Sequence, residues 1–230
     1  MKPITKELFK SGTKPDIPVI TAHSGCEGTP DNSMEHIRAA IDSGAEMLEI
    51  DIRKYGDTLY LTHNEQADLA GCATLAECFM LVAPHDGLCV NCDVKTFGLT
   101  ADVCRLAKEY GMESRIVFTG SVGEDELDAL AGSEADWWLS LWHSDHEAED
   151  FTAACARYAA MGDLYRIINL DGTMVNDALL AEAETNGYAL SVWTINREED
   201  IRRAMAAGVA NITTRCPKLA LSIRKELFGR

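Results

Sequence analysis

No stretch of the chain reaches the ~18 uncharged apolar residues of a membrane-spanning helix, so no segment is expected to cross a bilayer. Residues 1–14 alternate Lys, Thr, Glu and Ser without an apolar core, which does not fit a secretory signal, and the cytoplasm is the expected location. Basic residues are scarce: 21 Lys and Arg stand against 37 Asp and Glu, a formal net charge of −16. That balance argues against a nucleic-acid backbone or an anionic membrane surface as the main partner. Eight cysteines in 230 residues fall well below the density of a disulfide scaffold. The pair Cys89 and Cys92 has no second Cys-x-x-Cys to complete four metal ligands. Its surroundings, Leu88 to Val94, read as a strand, on which residues three apart point to opposite faces. Both are expected to be reduced, buried packing thiols. Internal repeats, low-complexity segments and linkers are also lacking.

What is present is the composition of a folded globule, 47% hydrophobic. Short β-rich runs alternate with segments of 3.6-residue apolar period almost from end to end. The runs at 19–23, 47–52, 87–95, 115–119, 137–142, 165–170, 189–195 and 209–213 predict strands. The segments 33–43, 74–82, 100–110, 124–130, 147–161, 176–186 and 197–207 predict helices. Several helices open on a cap residue and close at glycine: Asn32/Ser33 to Gly44, Thr100 to Gly111, and Asn196 to Gly208. Strict alternation implies parallel β-α units, and eight of them close into an α/β (β/α)8 TIM barrel, a single domain over 1–230. One extra run, 58–62, follows the second strand through Tyr55-Gly56-Asp57 and predicts a short hairpin extension.

In such barrels chemistry sits at the carboxyl ends of the strands. Those ends carry His23, then Glu49 and Asp51, then His63 on the hairpin, then Asp93 and Lys95, with Trp193 further on. Glu49 and Asp51 stand two apart, so both point the same way, and Asp93 and Lys95 repeat the pattern one strand over. Inward carboxylates repel each other and suffer desolvation unless a cation lies between them. Two readings are compatible with this spacing. One is a hard divalent cation, Mg²⁺ or Ca²⁺, held by Glu49, Asp51 and Asp93. The other is a structural ion network with Lys95 or Arg53. His23 and His63 face the same mouth and can supply an acid and a base.

The ordered motifs Ala22-His23-Ser24-Gly25, Pro30-Asp31-Asn32-Ser33, Glu49-Ile50-Asp51-Ile52, Leu61-Thr62-His63-Asn64 and Asp93-Val94-Lys95 resemble those of the glycerophosphodiester phosphodiesterase family. Val192-Trp193-Thr194-Ile195-Asn196 and the stretch from Gly208 to Pro217 are similar to its closing strands, so the likeness runs over about 19–217. The resemblance implies a metal-dependent phosphodiesterase that releases sn-glycerol 3-phosphate and an alcohol. It implies His23 and His63 as the general acid–base pair and Glu49, Asp51 and Asp93 as ligands of a divalent cation. Lys95 would contact the phosphate and Trp193 would line the substrate pocket. Similar barrels include cyclising, phospholipase C-like phosphodiesterases, and a barrel that only binds a phosphorylated ligand is a third reading. The partner implied is a small phosphodiester; nothing in the residues selects its alcohol or an oligomeric state.

This chain departs from the family pattern at Ser24, where Arg is usual, and at Asp31, Asn64 and Asp93, where Glu, Asp and Glu are usual. Loss of the arginine at Ser24 removes a bidentate phosphate donor, and Arg53, two residues beyond Asp51, is expected to compensate in part. Outside these motifs, Trp142-His143-Ser144-Asp145-His146-Glu147 is expected to form an acidic loop and a helix cap. Of Trp137 and Trp138, one is expected in the core and one exposed. His36 and His85 are expected on the surface.

Overall fold

The computed structural model describes residues 15–141, 152–153, 156 and 167–229. In chain order these form β1 (Val19–Ala22), α1 (Met34–Ser43), β2 (Met47–Tyr55), β3 (Thr58–Leu61), α2 (Leu75–Val82) and β4 (Cys89–Val94). There follow α3 (Thr100–Glu109), β5 (Ile116–Gly120), α4 (Glu124–Ala131), β6 (Asp136–Trp137), β7 (Leu139–Leu141) and β8 (Ile167–Asp171). The chain continues through α5 (Asp177–Asn186), β9 (Ala189–Trp193), α6 (Glu198–Ala207), β10 (Asn211–Thr214) and α7 (Pro217–Phe228). Residues 152–153 and 156 are helical, as the reading of 147–161 expects. The polar cluster from Trp142 to Glu147, with His143 and His146, lies outside the described residues.

The strands pair in the order β6-β5-β4-β2-β1-β10-β9-β8-β7, every neighbour parallel. β6 and β7 are two pieces of one run on either side of Trp138, the first paired with β5 and the second with β8. That single run closes the ring, so the segments fill eight barrel positions, as predicted. The predicted continuous fifth strand is therefore interrupted at Trp138, whose N–H donates to the carbonyl of Phe118. Both Trp137 and Trp138 are buried, because a barrel strand is covered by helices on one face and by the interior on the other. The expected exposed ring is thus corrected.

The cap read from sequence at Ser33 starts α1, and Thr74 and Asn176 cap α2 and α5, each of the three accepting a bond from the first turn. Two caps differ. Leu99 precedes α3, and Arg197 caps α6 while Asn196 turns its side chain to Arg215 and Thr214. α7 was not among the predicted helices; its signals are Pro217 in the first turn and buried Ala220 and Ile223 three apart. No helix among the described residues is long and apolar enough to cross a membrane.

Two cores result. The larger lies between strands and helices and takes in Ile20, Leu48, Ile50, Cys92, Phe79 and Phe118. The smaller fills the barrel interior at the start of the strands with Val19, Met47, Cys89, Val117, Trp138, Ile167 and Ala210. Cys89 and Cys92 therefore sit in different cores, on opposite faces of β4, and burial pushes both thiols up, Cys89 to about 12. Above the apolar plug the interior turns polar. Thr21 Oγ1 donates to Asn211 Oδ1 at 2.7 Å, Asn211 Nδ2 to Ser191 Oγ at 2.9 Å, and Ser191 Oγ to Asn169 Oδ1 at 2.8 Å. These buried groups satisfy one another, so a hydrophilic floor survives inside a protein core.

His36 is fully buried on α1, where its Nε2 lies 3.1 Å from the Glu49 carbonyl oxygen, and the surface position expected for it is corrected. Its helix face is the one packed on β2. Burial lowers its pKa from 6.5 to about 4. The unfolded chain therefore binds a proton that the folded chain refuses as pH falls through 6.5. Stability is expected to drop between about pH 6.5 and 4, by ~3 kcal/mol at the lower end from this group. Urea unfolding at pH 7.5 and 4.5 checks this: the acid loss should be clearly smaller in His36→Gln.

Candidate active site

Glu49 and Asp51 are carried inward by β2, and Asp93 by β4, whose register sets Asp51 directly opposite Asp93. The ligand atoms of the three carboxylates lie within 4.8 Å of one another. Lys95 reaches between two of them, with Nζ 2.7 Å from Asp51 Oδ1 and 2.8 Å from Asp93 Oδ2. It does so because its N–H bonds the Ile52 carbonyl at 3.0 Å, which fixes the end of β4 beside β2. Asn32, in the left-handed conformation that asparagine tolerates, grips Asp51 twice. Its Nδ2 donates to Asp51 Oδ2 at 2.7 Å and its Oδ1 accepts from Asp51 N at 2.9 Å. Ser24 N donates to Glu49 Oε2 at 2.9 Å. Gly120, at φ +83°, makes room for Asp93: a Cβ there would collide with Asp93 Oδ1 and the Val94 carbonyl.

Electrostatically the three acids differ. Burial, with Asp51 and Asp93 adding repulsion, pushes Glu49 well above the usual carboxylate range. Burial also raises Asp93, against the pull of Lys95. Asp51 is raised by burial too, but Lys95 and the bond from Asn32 outweigh it and hold its carboxyl low. Burial works against the Lys95 ammonium, and Asp93 and Asp51 more than offset it. With all three carboxylates ionised, the state a cation between them would favour, and Lys95 charged, the cup would carry −2, and in it Glu49 and Asp51 are each 4% exposed. Asp93 Oδ1 is buried with no hydrogen-bond partner among the described residues. The donor set is all oxygen, one of its atoms is orphaned, and its surplus charge matches a divalent cation; these residues fit a hard metal ion.

His23 follows β1, its N–H bonded to the Thr214 carbonyl at 2.8 Å. Its Nδ1 lies 2.8 Å from the Ser24 carbonyl oxygen, which can only accept, so Nδ1 carries the proton and Nε2 the lone pair. Nε2 stands 3.9 Å from Glu49 Oε2. Burial lowers the pKa of His23, so the ring is neutral near pH 7. His63 arrives by a separate route. β2 and β3 pair antiparallel from Ile52–Leu61 to Tyr55–Thr58, and Thr62 N donates to the Asp51 carbonyl at 3.0 Å. The hairpin thereby folds the exposed His63 back over the acids.

All seven residues singled out in the sequence, His23, Glu49, Asp51, His63, Asp93, Lys95 and Trp193, line one cavity of about 370 Å³. Its floor is neutral and hydrogen-bonding, with Asn91, Thr119, Ser140, Asn169 and Thr213. One expectation fails here. Arg53 does not line this cavity: its Nε donates to the His63 carbonyl at 2.9 Å and Nη1 lies 3.9 Å from Glu65. The pairing of β2 passes from β4 to β3 after Ile52, and Arg53 leaves with the hairpin. Ser24 is buried, its Oγ accepting from Asn32 N at 2.7 Å, so it ties the loop that carries Asn32. Sequence reasoning missed Arg215 and Asn32. Asn32 lay within a quoted motif, and Arg215 two residues past a predicted strand end.

No protein-family model matches the chain. A glycerophosphodiester phosphodiesterase of Caldanaerobacter subterraneus subsp. tengcongensis is 23% identical over 248 residues, covering 90% of this chain and 98% of that protein. The chain is thus similar to a glycerophosphodiester phosphodiesterase over nearly its whole length. Solved structures agree on the fold. The glycerophosphodiester phosphodiesterase of Thermotoga maritima superposes with a TM-score of 0.70 at 18% identity, over 90% of this chain and 98% of that one. A phosphodiesterase of Oleispira antarctica, in complex with the product sn-glycerol-3-phosphate, gives 0.73 at 16% identity, over 90% and 96%.

Proposed function

We propose that the chain is a metal-dependent phosphodiesterase, a single barrel domain hydrolysing glycerophosphodiesters or a related small phosphodiester to sn-glycerol 3-phosphate and an alcohol. The observation that carries the reading is the convergence of two imidazoles, three carboxylates and one lysine on a single cavity. The relative's name and the product in the Oleispira antarctica neighbour support the same substrate class. Glu49, Asp51 and Asp93 would hold Mg²⁺ or Ca²⁺, which when bound supplies positive charge against the phosphoryl oxygens.

The chain's own residues then divide the work. His23, neutral with Nε2 placed to accept, takes the proton of the nucleophile, either water, or the glycerol hydroxyl beside the ester with a water then opening the cyclic phosphate to sn-glycerol 3-phosphate. His63, at the exposed edge, gives a proton to the departing alcohol oxygen as its bond to phosphorus breaks. Lys95, fixed between Asp51 and Asp93, keeps an ammonium beside the phosphate. Trp193 supplies an apolar wall.

The test is a screen of glycerophosphocholine, glycerophosphoethanolamine, glycerophosphoinositol and bis(p-nitrophenyl) phosphate with Mg²⁺, Ca²⁺ and Mn²⁺, followed by phosphorus NMR. The expected result is a growing sn-glycerol 3-phosphate signal from at least one glycerophosphodiester. A persistent cyclic phosphate would make the protein a cyclising phosphodiesterase, and binding without turnover under every metal would make it a phosphate-binding barrel. Asn32 offers a finer check. Asn32→Ala removes both bonds to Asp51 and is expected to cost about 10–100-fold in metal affinity, read by Mn²⁺ titration calorimetry.

A further inference from the structure

Two cationic side chains line the cavity among the described residues, and they are placed very differently. Lys95 is deep, its side chain 9% exposed and committed to two carboxylates. Arg215, in the loop between β10 and α7, is 42% exposed at the mouth. Its backbone is held on both sides: Asn196 Oδ1 accepts its N–H at 2.8 Å, and its carbonyl accepts from Glu27 N at 2.8 Å. Its guanidinium meets Asp31 through two contacts, Nη1 to Oδ1 at 2.9 Å and Nη2 to Oδ2 at 3.2 Å.

Such a pair adds little stability, because Asp31 is 55% exposed and solvent screens the attraction. Yet the fold makes room for it. Gly25 takes φ +75°, and a Cβ there would collide with Asp31 Oδ1 and come within 2.8 Å of Arg215 Nη1. Two of the five guanidinium N–H donors go to Asp31, and the fork geometry leaves others to face an oxyanion. His23 lies close enough to feel the Arg215 charge.

We infer that Arg215 is the phosphate-positioning residue of this cavity, a guanidinium that grips a phosphodiester oxygen at the mouth while Lys95 stays below. It supplies from the last βα loop the bidentate donor that Ser24 does not supply from the first. The inference rests on the phosphodiesterase reading for its substrate and on geometry for its anion. Arg215→Gln is expected to raise KM for the best glycerophosphodiester about ten-fold or more with kcat little changed, since the contact exists before and during the reaction. Arg215→Lys, which keeps the charge and loses the fork, is expected to recover only part of that loss. Asp31→Asn breaks the same ion pair but spares the guanidinium, and is expected not to raise KM.

Equal defects in Arg215→Gln and Asp31→Asn would overturn the inference, leaving the pair a structural tie. So would an unchanged KM in Arg215→Gln alongside normal wild-type turnover, a result that leaves the phosphodiesterase reading intact. Calorimetric titration with sn-glycerol 3-phosphate and with inorganic phosphate separates the two ideas. If the wild type hydrolyses no glycerophosphodiester but binds phosphate about ten-fold more tightly than Arg215→Gln, the reaction is wrong and the anion seat is right. If neither protein binds, the seat is wrong.

Discussion

Replacing His23 with alanine is expected to lower glycerophosphodiester turnover by about 10²-fold or more, with the fold unchanged by circular dichroism. The expectation follows from how the ring is held. Its Nδ1 hydrogen is spent on the Ser24 carbonyl, which turns Nε2 toward the acids and leaves that nitrogen to accept. Burial keeps the ring neutral, so a base is available at pH 7 without a prior deprotonation. His63→Ala is expected to cost a similar factor through the leaving group. The two need not fail alike: a substrate with a nitrophenolate leaving group needs less protonation and should partly rescue His63→Ala, never His23→Ala. Unchanged rates in both variants would remove the imidazoles from the mechanism.

Stripping divalent cations is the second large effect. Chelation with EDTA is expected to abolish hydrolysis, and Mg²⁺ or Ca²⁺ to restore it. The sharper form uses Glu49, the acid that burial pushes well above the usual carboxylate range. In the metal-free protein its raised pKa makes the neutral carboxyl accessible, and glutamine is close to that form in shape and charge. Glu49→Gln should therefore leave thermal stability nearly unchanged while weakening Mn²⁺ binding by on the order of 10²-fold. A purely structural network predicts the reverse, a loss of stability and no metal to lose.

Much of this was legible in the residue order. A strand repeats every two residues, so Glu49 with Asp51 and Asp93 with Lys95 announce shared faces. The rule that barrel chemistry sits at carboxyl ends gathers them with His23, His63 and Trp193 on one rim. The failures have physical causes. Arg53 obeys the same period as Asp51, but the strand leaves the barrel for its hairpin between them. His36 lies on a helix whose polar appearance hides a buried ring bonded to the Glu49 backbone. Trp138 breaks its strand because the ring fills the barrel floor. Arg215 and Asn32 sit on loops, where no periodicity predicts direction, and only the closed ring shows that residues 31 and 215 meet.

Anomalous diffraction at the manganese edge, from crystals grown with Mn²⁺, tests the central claim most directly. One strong peak in contact with carboxylate oxygens of Glu49, Asp51 and Asp93, beneath His23 and His63, is the predicted result. A map without a peak there, with Lys95 alone bridging the acids at millimolar Mn²⁺, would contradict it.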